Sequence, residues 1–101
     1  MKKVVGRKLY DTDTAEILFT WCNYHMPNDY HYCEEVLYRT KKGAYFIAGK
    51  GGPASKYAVL TGREAGDGIE PLTGEEALQW LESHEGEGVI ERYFRDMIEE
   101  A

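Results

Sequence analysis

The sequence predicts an α+β fold in which an antiparallel β-sheet of two hairpins packs against C-terminal helices. The first 60 residues contain β-rich segments separated by turn residues, whereas residues 71–101 switch to the apolar spacing of amphipathic helices. Strands that come first and helices that come last are typical of a layered α+β domain. We expect one domain over residues 1–101, with the sheet in residues 1–60, because this length leaves no room for a second hydrophobic core.

The first hairpin is predicted from two strand-like segments, residues 4–10 and residues 15–22. Three large apolar side chains alternate in the second segment: Ile17, Phe19 and Trp21. Alternation places them on one face of a strand, and we expect this face to lie in the core. Residues 11–14 between the segments have the short polar side chains that close turns. The two segments should therefore pair with each other.

The second hairpin is predicted over residues 35–48. Two β-rich runs flank Lys41-Lys42-Gly43, and Gly43 can adopt the positive φ that a bulged tight turn requires. The next predicted segments are a loop over residues 49–53, an optional short strand over residues 55–60 and a glycine-punctuated connection over residues 61–67.

Two helices are predicted near the C-terminus. Thr73 and Glu76 have the spacing of a capping box, in which each side chain accepts from the backbone N–H of the other residue, so the first helix should begin at Thr73. It should end near residues 86–88, where two glycines disfavour a helix. Its predicted buried stripe comprises Ala77, Leu78 and Leu81. The second helix should bury Val89, Ile90, Tyr93, Phe94, Met97 and Ile98.

Charge is divided unevenly along the chain. Residues 1–56 carry nine Lys/Arg and six Asp/Glu, whereas residues 57–101 carry three Arg and twelve Asp/Glu, so the formal net charges are +3 and −9. An asymmetry of this size indicates a charged partner. No apolar run approaches the roughly 20 residues that span a bilayer, and the N-terminal residues do not form a secretory leader. We therefore expect a cytoplasmic protein with no membrane partner and no cofactor.

Cys22, His25, His31 and Cys33 are of the residue types that bind zinc, in a C-x2-H-x5-H-x-C pattern. Structural zinc sites usually separate their two ligand pairs by about a dozen residues or more, and buried thiols are common in cores. We therefore expect no metal here. Nucleophilic catalysis by the same residues would need an orienting third group that the pattern does not supply. We expect no enzymatic activity.

The glycine-rich segment Gly49–Lys56 is a second candidate site. Successive glycine N–H groups beside Lys and Ser can cradle a phosphate, which supports an alternative function as a phosphate-ligand-binding or catalytic domain. The segment does not follow the P-loop pattern, and no helix is predicted directly after it. A tight connection is the favoured interpretation.

Tyr24, Tyr30 and Tyr32 lie in one loop-like stretch. Tyrosines in loops provide rigid contact area at low entropic cost, so these three are candidate partner-binding residues. Stacking of nucleic-acid bases on the rings, with lysines on the phosphates, is another interpretation. The lysines concerned are Lys2, Lys3, Lys8, Lys41 and Lys42. The net charge of −6 argues against direct nucleic-acid binding.

Acidic residues dominate the C-terminal half. Such charges usually form the solvated face of surface helices. Their density also predicts a surface that docks on a basic groove built for nucleic acid. The candidate partner-binding carboxylates are Glu75, Glu82, Glu85 and Glu87.

Four motifs are distributed along nearly the whole chain. They are Lys8–Thr12 with Thr14–Ala15, Tyr32–Glu35 with Leu37–Gly43, Gly49–Gly52 with Ser55–Tyr57, and Pro71–Thr73 with Glu75–Ala77. In these motifs the sequence resembles a family of small proteins carried on bacterial plasmids, conjugative elements and phages. The resemblance implies a mobile-element accessory protein, a setting in which anti-CRISPR inhibitors have similar size and charge. We therefore expect a protein-binding inhibitor that blocks a nucleic-acid site of a CRISPR effector.

Overall fold

The computed structural model describes residues 1–23, 26, 28–58 and 65–101. In this part of the chain the fold is α+β, as the sequence predicts. The strands are β1 (Lys2–Val5), β2 (Lys8–Asp11), β3 (Glu16–Cys22), β4 (Cys33–Arg39), β5 (Tyr45–Gly51) and β6 (Gly66–Leu72). The helices are α1 (Gly74–Ser83) and α2 (Glu87–Tyr93), and a 3₁₀ turn over Arg95–Met97 follows them.

The architecture has three layers. β1 and β2 form an antiparallel hairpin, and the other four strands form an antiparallel sheet in the order β3-β4-β5-β6. Successive strand residues point to opposite faces, so neighbours on β5 enter different cores. Ile47 belongs to a cluster that contains Leu81 of α1, whereas Phe46 packs edge-to-face on Tyr10 of the hairpin with ring centroids 5.6 Å apart. The four-stranded sheet therefore lies between the hairpin and the helices.

The predicted pairing of residues 4–10 with residues 15–22 is wrong. The chain turns at Gly6 and Arg7, whose φ angles are +57° and +66°, so the first segment folds back on itself as β1 and β2. Positive φ at both central residues is the signature of the two-residue turn that matches the twist of a hairpin. β3 then pairs with β4. Asp11 does close a turn, as expected, because its carboxylate accepts the N–H of Asp13.

A β-bulge changes the core face of β3. The register with β4 shifts between Ile17 and Phe19, so Leu18 is buried while Ile17 is 59% exposed. The predicted burial of Ile17 is therefore wrong. Phe19 and Trp21 are partly buried on the helix-covered face, in agreement with the prediction. An extra residue in one strand reverses the alternation on one side of the bulge, which a strict period of two does not anticipate.

The second hairpin is confirmed, with Gly43 at a φ of +87° in its turn. However, β5 continues through Gly51, so the predicted loop over residues 49–53 begins later than expected. The sheet also extends beyond residue 60, because its last strand is β6. Residues 55–58 form turns rather than a strand, and residues 59–64 lie outside the described part of the chain.

The helix predictions are largely confirmed. Thr73 caps α1 in a capping box with Glu76, with distances of 3.1 Å from the Glu76 N–H to the Thr73 hydroxyl and 2.8 Å for the reciprocal bond. The predicted stripe of α1 is buried. The second helix is shorter than expected, since α2 ends at Tyr93 and Phe94 turns its ring against Tyr45 in the core. Met97 and Ile98, which the helical spacing placed in the core, are exposed.

We expect Thr73→Ala to lower the free energy of unfolding by about 1 kcal/mol, because it leaves the first turn of α1 without its side-chain cap. Ser83→Ala is the matched control, since the Ser83 hydroxyl only donates to the Gln79 carbonyl in the last turn of the same helix. Urea denaturation followed by circular dichroism measures both variants. Equal effects of the two substitutions would contradict a specific capping role.

Candidate functional site

The four predicted partner-binding carboxylates all lie on the surface of the helical layer. Glu75 and Glu82 are seven residues apart on α1, which places them on one side of the helix. Glu85 follows α1 in a left-handed conformation with φ +58°, and Glu87 opens α2. All four side chains are exposed. We call these four residues the acidic surface; its role in binding stays a prediction.

The two predicted aromatic anchors that the structure describes differ in exposure. Tyr30 is 66% exposed, whereas Tyr32 is 8% exposed and its hydroxyl donates to the Glu34 carboxylate at 2.6 Å. That hydrogen bond, with burial and the Glu34 charge, raises the pKa of Tyr32 to about 12. Tyr24 lies outside the described residues. Of the described tyrosines predicted to anchor a partner, Tyr30 presents an open ring and Tyr32 does not.

The two cysteines point to opposite faces of the sheet. Cys22 is directly opposite Glu34 in the β3–β4 register, and Cys33 is the next residue along β4, so its side chain projects to the other face. Burial, with the charge of Glu35, raises the pKa of the Cys33 thiol. His31 is exposed, and His25 lies outside the described residues. Within the described residues no group of three or more metal-ligating side chains comes together.

The glycine-rich segment is filled by the protein itself. Gly52 N–H donates to the Tyr32 carbonyl and Ala54 N–H to the Tyr30 carbonyl, both at 2.8 Å. The Ser55 hydroxyl donates to the Gly52 carbonyl at 2.8 Å. These groups are the ones a phosphate would have used. Because these three groups already have partners, the segment acts as a tight connection in this structure. The Lys50 side chain of the segment is exposed.

A buried carboxylate, Glu35 on β4, is the feature that sequence reasoning missed. It is 4% exposed, and it accepts hydrogen bonds from the hydroxyl of Tyr57 and, at 3.2 Å, from the indole N–H of Trp80 on α1. The ammonium of Lys56 lies 3.0 Å from the same carboxylate. Buried charges are normally paired and hydrogen-bonded in this way. The signal in the sequence was the alternation along β4, which places Glu35 on the same strand face as the buried residues Cys33 and Leu37.

The ring of Tyr57 reaches Glu35 across a row of small residues. In the strand registers Glu35 is opposite Gly49 on β5, and Gly49 is opposite Gly68 on β6. A Cβ atom at Gly49 would overlap the Tyr57 ring. Gly49 is therefore required by the close approach of the ring, which is a structural reason for glycine and not a phosphate-binding one.

The surroundings of Glu35 hold it in its ionised form. Burial alone would raise the pKa of Glu35, but the hydrogen bonds from Tyr57, Lys56 and Trp80 outweigh it and lower that pKa. Burial and the Glu35 hydrogen bond raise the pKa of Tyr57, so the phenol stays neutral. For Lys56, burial acts to lower the pKa, and the bond to Glu35 reverses this to a net increase. The carboxylate is enclosed by its own donors, so it links the sheet to α1 and to the segment after β5.

No family model, curated protein or solved structure matches this chain. The resemblance to a mobile-element family thus stays a prediction based on its motifs. Among the helices that the structure describes, none combines the length and the apolar character needed to cross a bilayer.

We expect Gly49→Ala to lower the free energy of unfolding by about 2 kcal/mol or more, because the added methyl group displaces the Tyr57 ring from Glu35. Gly68→Ala is the matched control on the neighbouring strand, where the new Cβ would lie 3.9 Å from the same ring, at ordinary contact distance. Chemical denaturation of both variants measures the difference. The assignment fails if the two substitutions destabilise equally.

We expect Glu35→Gln to lower the free energy of unfolding at pH 7 by about 2 kcal/mol, because hydrogen bonds to a charged group contribute about 1.5–3 kcal/mol. The lowered pKa of Glu35 stabilises the fold above the unfolded-state pKa of about 4.3, and this contribution is lost as the pH falls through the folded-state pKa. The variant should therefore lose less stability than the wild type between pH 5 and pH 2.

Glu70→Gln is the control for this experiment. Its carboxylate is exposed and lies 3.8 Å from the same Lys56 ammonium. Denaturation curves at several pH values compare the three proteins. If Glu35→Gln retains the acid sensitivity of the wild type, Glu35 is not the group responsible.

Proposed function

We propose that this protein is a non-enzymatic inhibitor that binds a bacterial CRISPR effector in the cytoplasm and blocks one of its nucleic-acid sites. The observation that carries the proposal is the separation of charge between layers. Residues 73–101, which contain both helices, carry eight Glu and one Asp but only two Arg. The acidic surface lies within this segment, and all of its side chains are exposed.

The acidic surface has the chemistry that a nucleic-acid groove attracts. Such grooves present Lys and Arg to phosphates, and carboxylates on a rigid helix can occupy the same cations. Apolar residues on the inner side of α1 hold the helix against the sheet, with Ala77 and Leu81 fully buried. The Glu75 and Glu82 carboxylates are therefore carried on a fixed support, which reduces the entropic cost of docking.

The described geometry offers less support for an enzyme. The buried carboxylate of Glu35 is enclosed by Tyr57, Lys56 and Trp80. In the Gly49–Lys56 segment, the N–H groups of Gly52 and Ala54 and the hydroxyl of Ser55 donate to carbonyls of the protein itself. A catalytic group must come within hydrogen-bond reach of a substrate. The Glu35 carboxylate and these N–H and hydroxyl groups are instead bonded within the protein.

We expect replacement of Glu75, Glu82, Glu85 and Glu87 by Gln to slow association with the effector about tenfold at low salt and to flatten its salt dependence, because electrostatic steering is lost. The protein should remain folded, since all four side chains are exposed. Surface plasmon resonance and inhibition of target cleavage by a CRISPR nuclease measure the effect.

A second set of substitutions makes the same change in net charge elsewhere: Asp13→Asn, Asp67→Asn, Glu99→Gln and Glu100→Gln. These residues are exposed and lie in the β2–β3 turn, on β6 and in the C-terminal tail. The control should retain most of the association rate. An equal loss of association rate in both sets would show that net charge alone matters. The proposed function is refuted if the wild-type protein inhibits no CRISPR nuclease of any type found in its host.

Tyr30→Ala tests the competing aromatic interface. If the exposed Tyr30 ring is a binding anchor, its removal should weaken the complex by about 2 kcal/mol, which corresponds to about thirtyfold in affinity. Our proposal expects a smaller loss than that caused by the acidic-surface variant. If Tyr30→Ala loses more affinity than the acidic-surface variant, the interface lies on the segment that contains Tyr30.

A further inference from the structure

A cationic cleft lies between the β1–β2 turn and the β4–β5 turn, away from the acidic surface. It has a volume of about 470 Å³, within the range of ligand sites. Arg7 and Lys8 line it from the first turn, and Lys41 and Lys42 line it from the second. We call it the basic cleft. Two segments that are distant in the sequence thus bring four cations to one concave surface.

The positive charge of the basic cleft is not neutralised by the protein. None of the described residues that line it is acidic. Within the described part of the chain, Arg7, Lys8, Lys41 and Lys42 have no carboxylate within ion-pair distance, and all four are exposed. Four like charges around one cavity repel each other, and an anionic ligand removes this repulsion.

Arg7 occupies a backbone conformation that is costly for its residue type. Its φ of +66° lies in the left-handed region, which disfavours residues with a Cβ relative to glycine. Turns of this kind normally use Gly, Asn or Asp at this position. Backbone strain of this kind is concentrated at functional sites. In this turn, the strained residue is Arg7, and its side chain lines the basic cleft.

The lining of the cleft is suited to phosphate oxygens. A guanidinium binds phosphate through two parallel hydrogen bonds, and ammonium groups add point charges. Thr14 and Thr40 also line the cleft. The Thr40 oxygen accepts from Ala44 N–H, which leaves its own O–H to donate to a ligand. The Tyr10 ring is 7% exposed, so it offers no stacking platform for a base.

The cations continue beyond the first cavity. An adjoining cavity of about 310 Å³ shares Thr14, Thr40 and Lys41 and adds Arg39, with Glu16 as its acidic member. A single phosphate cannot neutralise five cations that line two cavities with shared walls. The arrangement matches a ligand with two or more adjacent phosphate groups.

We propose that the basic cleft binds adjacent phosphate groups, as carried by a nucleoside polyphosphate or by the backbone of a nucleic-acid strand. The expectation of no nucleic-acid contact rested on the net charge of −6. That charge is concentrated in the helical layer, whereas the cleft is formed by the hairpin and a turn of the sheet. The site is independent of the proposed inhibitor function and of the Gly49–Lys56 segment.

Binding of three probes to the full chain tests the proposal: tripolyphosphate, ATP and a fluorescent eight-nucleotide oligo(dT), each in 50 mM salt. The test variant is Arg7→Gly/Lys42→Gln, because glycine relieves the left-handed backbone and preserves the turn. It should weaken binding at least about tenfold. For the oligonucleotide it should reduce the slope of log K against log salt by about 1.4, since each lost phosphate contact contributes about 0.7.

Lys2→Gln/Lys50→Gln is the matched control, because it removes the same charge from exposed residues that do not line the basic cleft. Its binding should stay within about threefold of the wild type. Lys41→Gln/Lys42→Gln is a second test variant that leaves the first turn untouched, and thermal unfolding verifies the fold of each protein.

Binding of the oligonucleotide but not of ATP or tripolyphosphate supports the proposal and identifies a strand as the ligand, and the opposite pattern identifies a small polyphosphate. The proposal is overturned if no probe binds, if the control variant loses as much affinity as the cleft variants, or if octaglutamate binds as tightly as the phosphate probes. Inhibition of a CRISPR nuclease by the cleft variants is measured separately, so the two proposals fail independently.

Discussion

The rest of the structure depends on the satisfaction of one buried carboxylate. Glu35 is almost completely enclosed, and an unpaired charge at this position would be strongly destabilising. Its three donors come from two places: Tyr57 and Lys56 lie in the segment after β5, and Trp80 lies on α1. Pairing the charge therefore requires the sheet, this segment and the first helix to meet at one point. The same requirement explains Gly49, whose missing side chain makes room for the Tyr57 ring.

This constraint also orients the surface that we propose for partner binding. Trp80 lies on the sheet side of α1, where its ring packs edge-to-face on Phe19 with centroids 5.9 Å apart. Because one side of α1 is held against the four-stranded sheet, Glu75 and Glu82 face solvent. The hairpin covers the other face of the central sheet. Negative charge thus accumulates on the helical layer, and positive charge accumulates on the side of the hairpin. The net charge of the whole chain therefore describes neither the acidic surface nor the basic cleft.

Local signals account for the correct predictions. The β4–β5 hairpin needs only two β-rich runs and a glycine that accepts positive φ, and the α1 cap needs Thr73 and Glu76 three residues apart. The errors arise where a long-range contact overrides the local pattern. β6 contains four residues that strands disfavour, Gly66, Asp67, Gly68 and Pro71, yet it completes the sheet because β5 offers a free edge for pairing. The bulge at Ile17 likewise depends on the partner strand.

The sequence by itself determined the fold class, the second hairpin, the start and buried stripe of α1, and the exposure of the four glutamates of the acidic surface. These properties follow from side chains within a few residues of each other, where backbone geometry alone decides which groups meet. Only the tertiary structure decided that Glu35 meets Tyr57 and Trp80, which are 22 and 45 residues away, and that Arg7 and Lys8 face Lys41 and Lys42. The physical reason is that strand pairing and layer packing choose these neighbours, and both depend on the burial of the whole chain.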